Sequence, residues 1–233
     1  MLLTMFVLAG LAWIFIWVTG EVVGGDSHAL DEQLLMSMRS AADPSDPLGP
    51  HWVEELMRDI TGLGGVGVLT FLTLVVVGFL ILQNKGKVAL VVVVTIGSGI
   101  ALSLLMKMGF DRPRPELVPH ESYVYTTSFP SGHSMMSAVV YLSLASLLAR
   151  VQQNRRVKIY LVAVAMVLTM MIGVSRVYMG VHWPTDVLAG WMAGAFWALL
   201  CYMVTRHLQH SGAVEPEGLD VDPDAAKTPL TVR

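Results

Sequence analysis

Residues 88–106 read VALVVVVTIGSGIALSLLM, a run of nineteen residues without an acidic or basic side chain. An α-helix needs about 20 predominantly apolar residues to cross the hydrocarbon core of a bilayer. Because no water reaches backbone groups in that core, only helices and closed barrels span it. The run lacks the alternation of a barrel strand, and it therefore predicts a transmembrane helix.

Five further segments share this apolar, uncharged character. With the first run, the six candidate spans are residues 2–18, 63–82, 88–106, 134–149, 159–174 and 187–205. The fourth and fifth are short, and we expect flanking residues to extend them. Hydrophobic residues make up 54% of the chain and charged residues 14%, against about 25% charged residues in soluble domains. We predict an all-α, polytopic membrane protein with a six-transmembrane-helix bundle over residues 1–208.

The first segment, residues 2–18, has two interpretations, a cleaved signal peptide or an uncleaved first helix. It has no basic residues at its start, and its apolar run exceeds that of an ordinary signal peptide. These features favour the uncleaved helix.

Basic residues in short loops predict the orientation. The loops after the second and fourth spans and the end of the sixth carry Lys85, Lys87, Arg150, Arg155, Arg156, Lys158 and Arg206, all on one side if all six segments span. An excess of Lys and Arg marks cytoplasmic loops, so both termini are predicted to be cytoplasmic. Residues 20–62, 107–132 and 175–186 then lie on the extracytoplasmic side of the cell membrane. The last two also contain cations, which we assign to function because they cluster in motifs.

Two segments are polar. Residues 20–62 are interrupted by three prolines, and their stretches 31–40 and 52–60 predict short helices lying on the membrane surface. Residues 209–233 predict a disordered cytoplasmic tail.

Several kinds of site are not indicated. The chain carries no basic stripe for nucleic acid. Its single cysteine, Cys201, lies within an apolar run and excludes an intramolecular disulfide and a cysteine-based zinc cluster. We interpret Cys201 as a small buried apolar residue.

Three polar clusters fall on the predicted outer side. They read KMGFDRPRP at residues 107–115, SFPSGH at 128–133 and SRVYMGVHWPTD at 175–186. The first ends the third span, the second opens the fourth, and the third joins the fifth to the sixth.

The cations of these clusters suit a phosphate group, which carries close to two negative charges. Guanidinium groups of Arg114 and Arg176 match phosphate oxygens bidentately, and Lys107 adds a point charge. A helix N-terminus also attracts anions. Ser131 is placed to cap the fourth span, and Gly132 lets an anion approach the backbone.

Phosphoryl transfer also needs a nucleophile and an acid. Pro184 suits an early helical position, which places Asp186 about one turn beyond His182. A carboxylate there orients the imidazole and leaves its other nitrogen to attack phosphorus. His133 is then the candidate acid for the leaving oxygen.

Each feature has a simpler interpretation when taken alone. Lys107 could be a membrane-edge anchor, and Trp183 could be an interfacial anchor or a substrate contact. Five ionisable residues predict a solvated loop rather than a metal site, because no regular ligand spacing appears; they are Asp111, Arg112, Glu116, His120 and Glu121. The order and shared side of the three clusters favour the functional interpretation.

The three clusters together resemble the tripartite motif of the type 2 phosphatidic acid phosphatases. That motif is Lys, six residues, Arg-Pro; then Pro-Ser-Gly-His; then Ser-Arg, five residues, His, three residues, Asp. Every specified position matches, at Lys107, Arg114, Pro115, Pro130, Ser131, Gly132, His133, Ser175, Arg176, His182 and Asp186. Neither residues 20–62 nor the tail is covered by the motif.

The resemblance implies a metal-free, cofactor-free lipid phosphatase. Lys107, Arg114, Ser131, Gly132 and Arg176 would bind phosphate. His182 would form a phosphohistidine, with Asp186 orienting it and His133 as the general acid, and water would release phosphate in a second step. Bacterial relatives act on phosphatidylglycerol phosphate, phosphatidic acid or undecaprenyl pyrophosphate. Soluble relatives include vanadium haloperoxidases and acid phosphatases, which six apolar spans argue against here.

Three other functions stay open at this point. The same phosphohistidine could pass phosphate to an acceptor other than water. A non-catalytic protein could bind lipid phosphates, although both histidines and Asp186 are present. A channel or transporter is disfavoured, because the spans lack the ionisable residues that mark such pathways.

Overall fold

The computed structural model describes residues 2–118 and 127–214. Within these ranges the regular structure is helical. The helices are α1 (Leu2–Gly24), α2 (His28–Met36), α3 (His51–Leu63), α4 (Val66–Leu82), α5 (Gly86–Gly109), α6 (Gly132–Ser137), a π segment (Ala138–Leu142), α7 (Ser143–Val151), α8 (Arg155–Tyr178) and α9 (Pro184–His210). The predicted all-α fold is confirmed.

All six predicted spans are helices. Five are long and apolar enough to cross a membrane by themselves: α1, α5, α8, α9 and the continuous stretch Gly132–Val151. The remaining predicted span, residues 63–82, corresponds mainly to α4. It meets the same criterion only together with α3, and the two helices are bent by 48°. Large apolar side chains point outward along most of these helices, as expected where lipid replaces water.

The bend between α3 and α4 depends on a close approach at Gly64. A Cβ atom at Gly64 would lie 2.5 Å from Cγ2 of Ile172 on α8, and 3.4 Å from Cδ2 of His133. The bend therefore sits directly beside the start of α6.

α9 runs through the centre of the bundle and packs against α1, α5, α6, α8 and the π segment. Two glycines allow the approach to α6. A Cβ atom at Gly190 would lie 2.7 Å from the Ser131 carbonyl oxygen, and one at Gly194 would lie 2.4 Å from that of Met135. Small residues bring membrane helices close together, and here they set the start of α6 against the start of α9.

The polar segment 20–62 contains the two short helices that we predicted, as α2 and α3, with shifted ends. α1 continues to Gly24, six residues beyond the predicted end of the first span. α2 turns one face inward, because Asp31 and Leu35 are completely buried and the helix contacts α9. α3 lies against α8. Most of the predicted tail, residues 215–233, lies outside the described residues.

Candidate active site

The three predicted clusters meet at one end of the helix bundle. Lys107 lies in the last turn of α5, His133 in the first turn of α6, and Arg176 in the last turn of α8, while His182 directly precedes α9. α6 packs against the other three of these helices, and α9 also packs against α5 and α8.

His182 and Asp186 form the pair that the sequence predicted. The imidazole Nδ1 lies 3.4 Å from Asp186 Oδ2, and both residues are at most 2% exposed. Pro184 occupies the first turn of α9, as predicted. The Asp186 carboxylate also accepts the Trp183 backbone N–H at 2.9 Å, so the helix start itself fixes the carboxylate that faces the imidazole.

Burial keeps the His182 imidazole neutral. It lowers the pKa of His182 to about 4, more than the hydrogen bond and charge of Asp186 raise it, and Arg114 and Arg176 lower it further. At neutral pH the ring therefore carries one proton. With that proton on Nδ1 toward Asp186, Nε2 has a lone pair available for attack.

Arg114 holds its guanidinium beside that nitrogen. Its Nη1 donates to the Val181 carbonyl at 2.6 Å and lies 3.2 Å from His182 Nε2. Burial lowers the pKa of Arg114, an effect that Asp186 opposes, but an arginine remains protonated at neutral pH. An anion bound to Arg114 would therefore lie next to Nε2.

Lys107 lies against the start of α6. Its Nζ donates to the Thr127 carbonyl at 2.8 Å, and its Cε would lie 3.5 Å from a Cβ atom at Gly132. The lysine and the helix N-terminus thus present positive charge to the same space.

Arg176 is a buried cation with few partners. It is 2% exposed, and its Nη1 donates to Thr61 Oγ1 at 3.3 Å. Its Nε has no hydrogen-bond partner among the described residues. A buried charge is costly unless it is paired, so Arg176 is prepared to receive an anion.

The start of α6 carries His133 and Ser131. His133 interacts electrostatically with Arg176, His182, Lys107 and Arg114. Ser131 caps the helix as predicted, its side chain accepting from the Ser134 N–H at 3.5 Å. The Ser131 N–H in turn donates to the Asp186 carbonyl at 2.9 Å, which ties the second cluster to the third.

Comparison with known proteins shows the family of the chain. Residues 88–209 match the PAP2 superfamily, and this range contains all three clusters. The chain belongs to the PAP2 superfamily. The resemblance noted in the sequence is thereby confirmed.

Individual PAP2 relatives cover much of the chain. Phosphatidylglycerophosphatase B of Bacillus subtilis is 34% identical over 148 residues, 61% of this chain and 70% of the relative. An undecaprenyl-diphosphatase of Sulfolobus acidocaldarius is 26% identical over 54% of this chain and 59% of its own. The crystal structure of the transmembrane PAP2-type phosphatidylglycerolphosphate phosphatase from Bacillus subtilis matches with a TM-score of 0.78 at 26% identity, covering 86% of this chain and 96% of that one.

The PAP2 site contains residues that sequence analysis missed. The Ser128 hydroxyl hydrogen-bonds to Asp186 Oδ2 and lies 3.4 Å from His182 Nδ1. Thr61 of α3 contacts Ser175 Oγ at 2.8 Å as well as Arg176. Ser128 belongs to the second cluster, residues 128–133. Thr61 lies outside all three clusters, and no pattern in the sequence around it indicates a functional role.

The expectation for Arg112 was wrong, and of the two interpretations of Trp183 the interfacial anchor was wrong. Arg112 does not belong to a solvated loop, because its side chain is 12% exposed and pairs with Asp31 and Asp186 at 2.6 Å each. Trp183 is 4% exposed and donates to the Pro113 carbonyl at 3.0 Å, so it joins the two clusters instead of facing an interface. Asp111 and Glu116 are exposed, as expected, whereas His120 and Glu121 lie outside the described residues.

Over the described ranges, no three His, Cys, Asp or Glu side chains come together in a way that could hold a metal ion. The charges available to neutralise a phosphate are the side chains of Lys107, Arg114 and Arg176.

Proposed function

We propose that this PAP2 protein hydrolyses phosphate esters of membrane lipids through a phosphohistidine at His182. The observation that carries the proposal is the setting of His182. Its imidazole is buried and neutral, Asp186 lies at Nδ1, and the Arg114 guanidinium lies beside Nε2. This arrangement places an anion-binding guanidinium beside the nitrogen that would act as nucleophile.

In the first step, the substrate phosphate binds to Lys107, Arg114 and Arg176 and to the first N–H groups of α6, which Ser131 and Gly132 position. His182 Nε2 attacks phosphorus, and the bond from phosphorus to the lipid oxygen breaks. His133 gives its proton to that oxygen as the alcohol leaves; for a pyrophosphate, the broken bond is to the bridging oxygen and the lipid monophosphate leaves. Asp186 stabilises the positive charge that develops on the His182 ring.

The second step regenerates the enzyme. A water molecule attacks the phosphorus of phosphohistidine, and His133 accepts the proton that the water loses. The P–N bond breaks, and inorganic phosphate leaves with His182 restored to its neutral form. Three cations around the phosphoryl group stabilise the developing charge in both steps, and no step requires a metal ion.

The substrate class follows from the relatives and the setting in the membrane. One relative is named for phosphatidylglycerophosphate and another for undecaprenyl diphosphate. We infer that lipid monophosphates, among them phosphatidylglycerol phosphate and phosphatidic acid, and the pyrophosphate of undecaprenol are candidate substrates for this chain. A phosphotransferase reaction uses the same first step and differs only in its acceptor.

We infer that the site faces the extracytoplasmic side. Lys87 lies at the start of α5 and Lys107 at its end, so the basic α4–α5 connection and the site are at opposite ends of the bundle. Cations mark the cytoplasmic end, and both termini lie there if all six spans cross. A reporter fused after Arg206 should behave as cytoplasmic, and one inserted within residues 41–46 as external. The reverse pattern contradicts this orientation.

The test of the function is phosphate release by the purified protein in detergent. The panel contains phosphatidylglycerol phosphate, phosphatidic acid and undecaprenyl pyrophosphate, each assayed with and without chelator. Rapid quenching with labelled substrate should trap an acid-labile phosphate that maps to His182. Label on His133, or activity that needs added magnesium, would contradict the mechanism, and label transferred to an acceptor alcohol would favour the phosphotransferase.

A further inference from the structure

A buried carboxylate on α2 reaches the proposed catalytic pair from outside the motifs. Asp31 is completely buried. It accepts three hydrogen bonds: from Arg112 Nη2 at 2.6 Å, from the Thr185 N–H at 2.9 Å and from Thr185 Oγ1 at 2.6 Å. Such a carboxylate is fully satisfied only while α2, the loop after α5 and the start of α9 keep their relative positions.

Arg112 connects this carboxylate to Asp186. While Nη2 donates to Asp31, Nη1 donates to Asp186 Oδ1 at 2.6 Å. The guanidinium therefore lies between two carboxylates that are both completely buried. Removing a charge from water costs several kcal/mol unless a partner offsets it, so Arg112 allows Asp186 to stay ionised beside His182.

The same contact determines which oxygen faces the histidine. Asp186 Oδ1 is held by Arg112, whereas Oδ2 accepts from the Trp183 N–H and the Ser128 hydroxyl and lies 3.4 Å from His182 Nδ1. A planar carboxylate held at both oxygens cannot rotate. Its fixed plane keeps Oδ2 toward the imidazole and thereby favours the tautomer with the proton on Nδ1.

We propose that Asp31 and Arg112 are positioning residues for phosphoryl transfer, acting through Asp186 on His182. This inference rests on the proposed function of His182. It assigns a part in catalysis to α2, a helix that contains no motif residue. The alternative is that the ion pairs only attach α2 to the bundle.

Matched variants separate these two roles. Asp31→Asn keeps the shape and removes the charge, while Glu32→Gln removes the exposed neighbouring carboxylate on the same helix. We expect Asp31→Asn to lower kcat by about 10- to 100-fold with little change in KM, as for carboxylates that orient metal-bound imidazoles. Glu32→Gln should match wild type. If Asp31→Asn changes only the melting temperature, with kcat per folded molecule unaltered, the proposal is wrong.

Arg112 gives a second pair of variants. Arg112→Gln removes the charge, and Arg112→Lys retains it but loses the planar fork that bridges two carboxylates. The kcat of Arg112→Gln should fall as far as that of Asp31→Asn, and Arg112→Lys should retain part of the activity that Arg112→Gln loses. Full activity in Arg112→Gln would overturn the assignment.

A double-mutant cycle tests the route through Asp186. If Asp31 acts by holding Asp186, then Asp31→Asn should cost little more in an Asp186→Asn background, because the carboxylate it positions is already gone. Multiplication of the two single effects would show that Asp31 acts elsewhere, and would refute this route.

A measurement without turnover keeps the inference independent of the proposed function. In protein with nitrogen-labelled histidine, the His182 signals are identified by their loss in His182→Asn. Wild type and Glu32→Gln should show a single tautomer protonated at Nδ1, and Asp31→Asn and Arg112→Gln a mixture. Unchanged tautomers in both variants would overturn the positioning role, whereas a normal NMR result without phosphate release by wild type would refute only the proposed function.

Discussion

The motif region, residues 107–186, and the α2–α3 region, residues 25–65, contribute to the same site in different ways. The motif region supplies side chains that face the phosphate space, and each is marked by its neighbours in sequence. The α2–α3 region supplies Asp31, which contacts Arg112, Thr61, which contacts Arg176, and Gly64, which lies against His133. Local sequence therefore marks the groups proposed to meet substrate, while long-range contacts provide the groups that hold them.

The largest expected effect belongs to the motif region. His182→Ala removes the nucleophile, and phosphate release should fall by about 10⁴-fold or more, as for other covalent catalysts. No single substitution within the α2–α3 region should approach this loss. Turnover of a lipid phosphate by each purified variant, normalised to folded protein, checks the ranking. A comparable loss in any α2–α3 variant that folds would remove the distinction between the regions.

Arg176→Met tests a cation that receives support from both regions. Losing its contact with the developing anion should lower turnover by about 100-fold. The melting temperature should stay the same or rise, because an apolar residue of similar length replaces a buried, sparsely paired charge. Arg206→Met, at the exposed far end of α9, is the control. A large drop in melting temperature for Arg176→Met would indicate that Arg176 serves the fold.

Gly64→Ala tests the α2–α3 region by packing. The new methyl group would overlap Ile172 and touch His133, and such overpacking costs about 1–3 kcal/mol of stability. Gly62→Ala is the matched control, because a Cβ atom there meets nothing within 4 Å. Thermal unfolding of both variants measures the difference. Equal melting temperatures would show that the bend relaxes freely.

Thr61→Val should have a smaller effect on turnover. It removes the hydroxyl that contacts Arg176 and Ser175 while preserving the shape of the side chain. A single hydrogen bond is worth about 1 kcal/mol, so kcat/KM should fall roughly fivefold. Steady-state kinetics of Thr61→Val and Thr61→Ser, which retains the hydroxyl, provide the comparison. Equal losses in the two variants would argue against a role for the hydroxyl.

The pH dependence should show the smallest change over the neutral range. Because burial lowers the pKa of His182 to about 4, the neutral nucleophile predominates above that pH and is lost by protonation only below it. The rate of phosphoenzyme formation, measured with an aryl phosphate whose leaving group needs little protonation by His133 and corrected for the second ionisation of the substrate near pH 6, should stay level down to about pH 5. A fall in this rate with a midpoint near pH 6.5, the ordinary pKa of histidine, would show that His182 is solvated.

The sequence alone determined the six helices and the groups proposed to meet the phosphate. Spans can be recognised because the bilayer requires about 20 consecutive apolar residues, which is a local property of the chain. The motif residues can be recognised because their identities, spacing and order along the chain match a three-part pattern. Even the cap at Ser131 and the position of Pro184 followed from local helix rules.

Only the tertiary structure decided how the proposed catalytic pair is held. Asp31 is 154 residues from Thr185 and 81 from Arg112, and neither separation leaves a pattern in the sequence. Arg112 was predicted to lie in a solvated loop because the charged residues around it show no regular ligand spacing. Its burial depends on two carboxylates that arrive on other helices, and the free energy of a buried charge is set by its partners in space rather than by its neighbours in the chain.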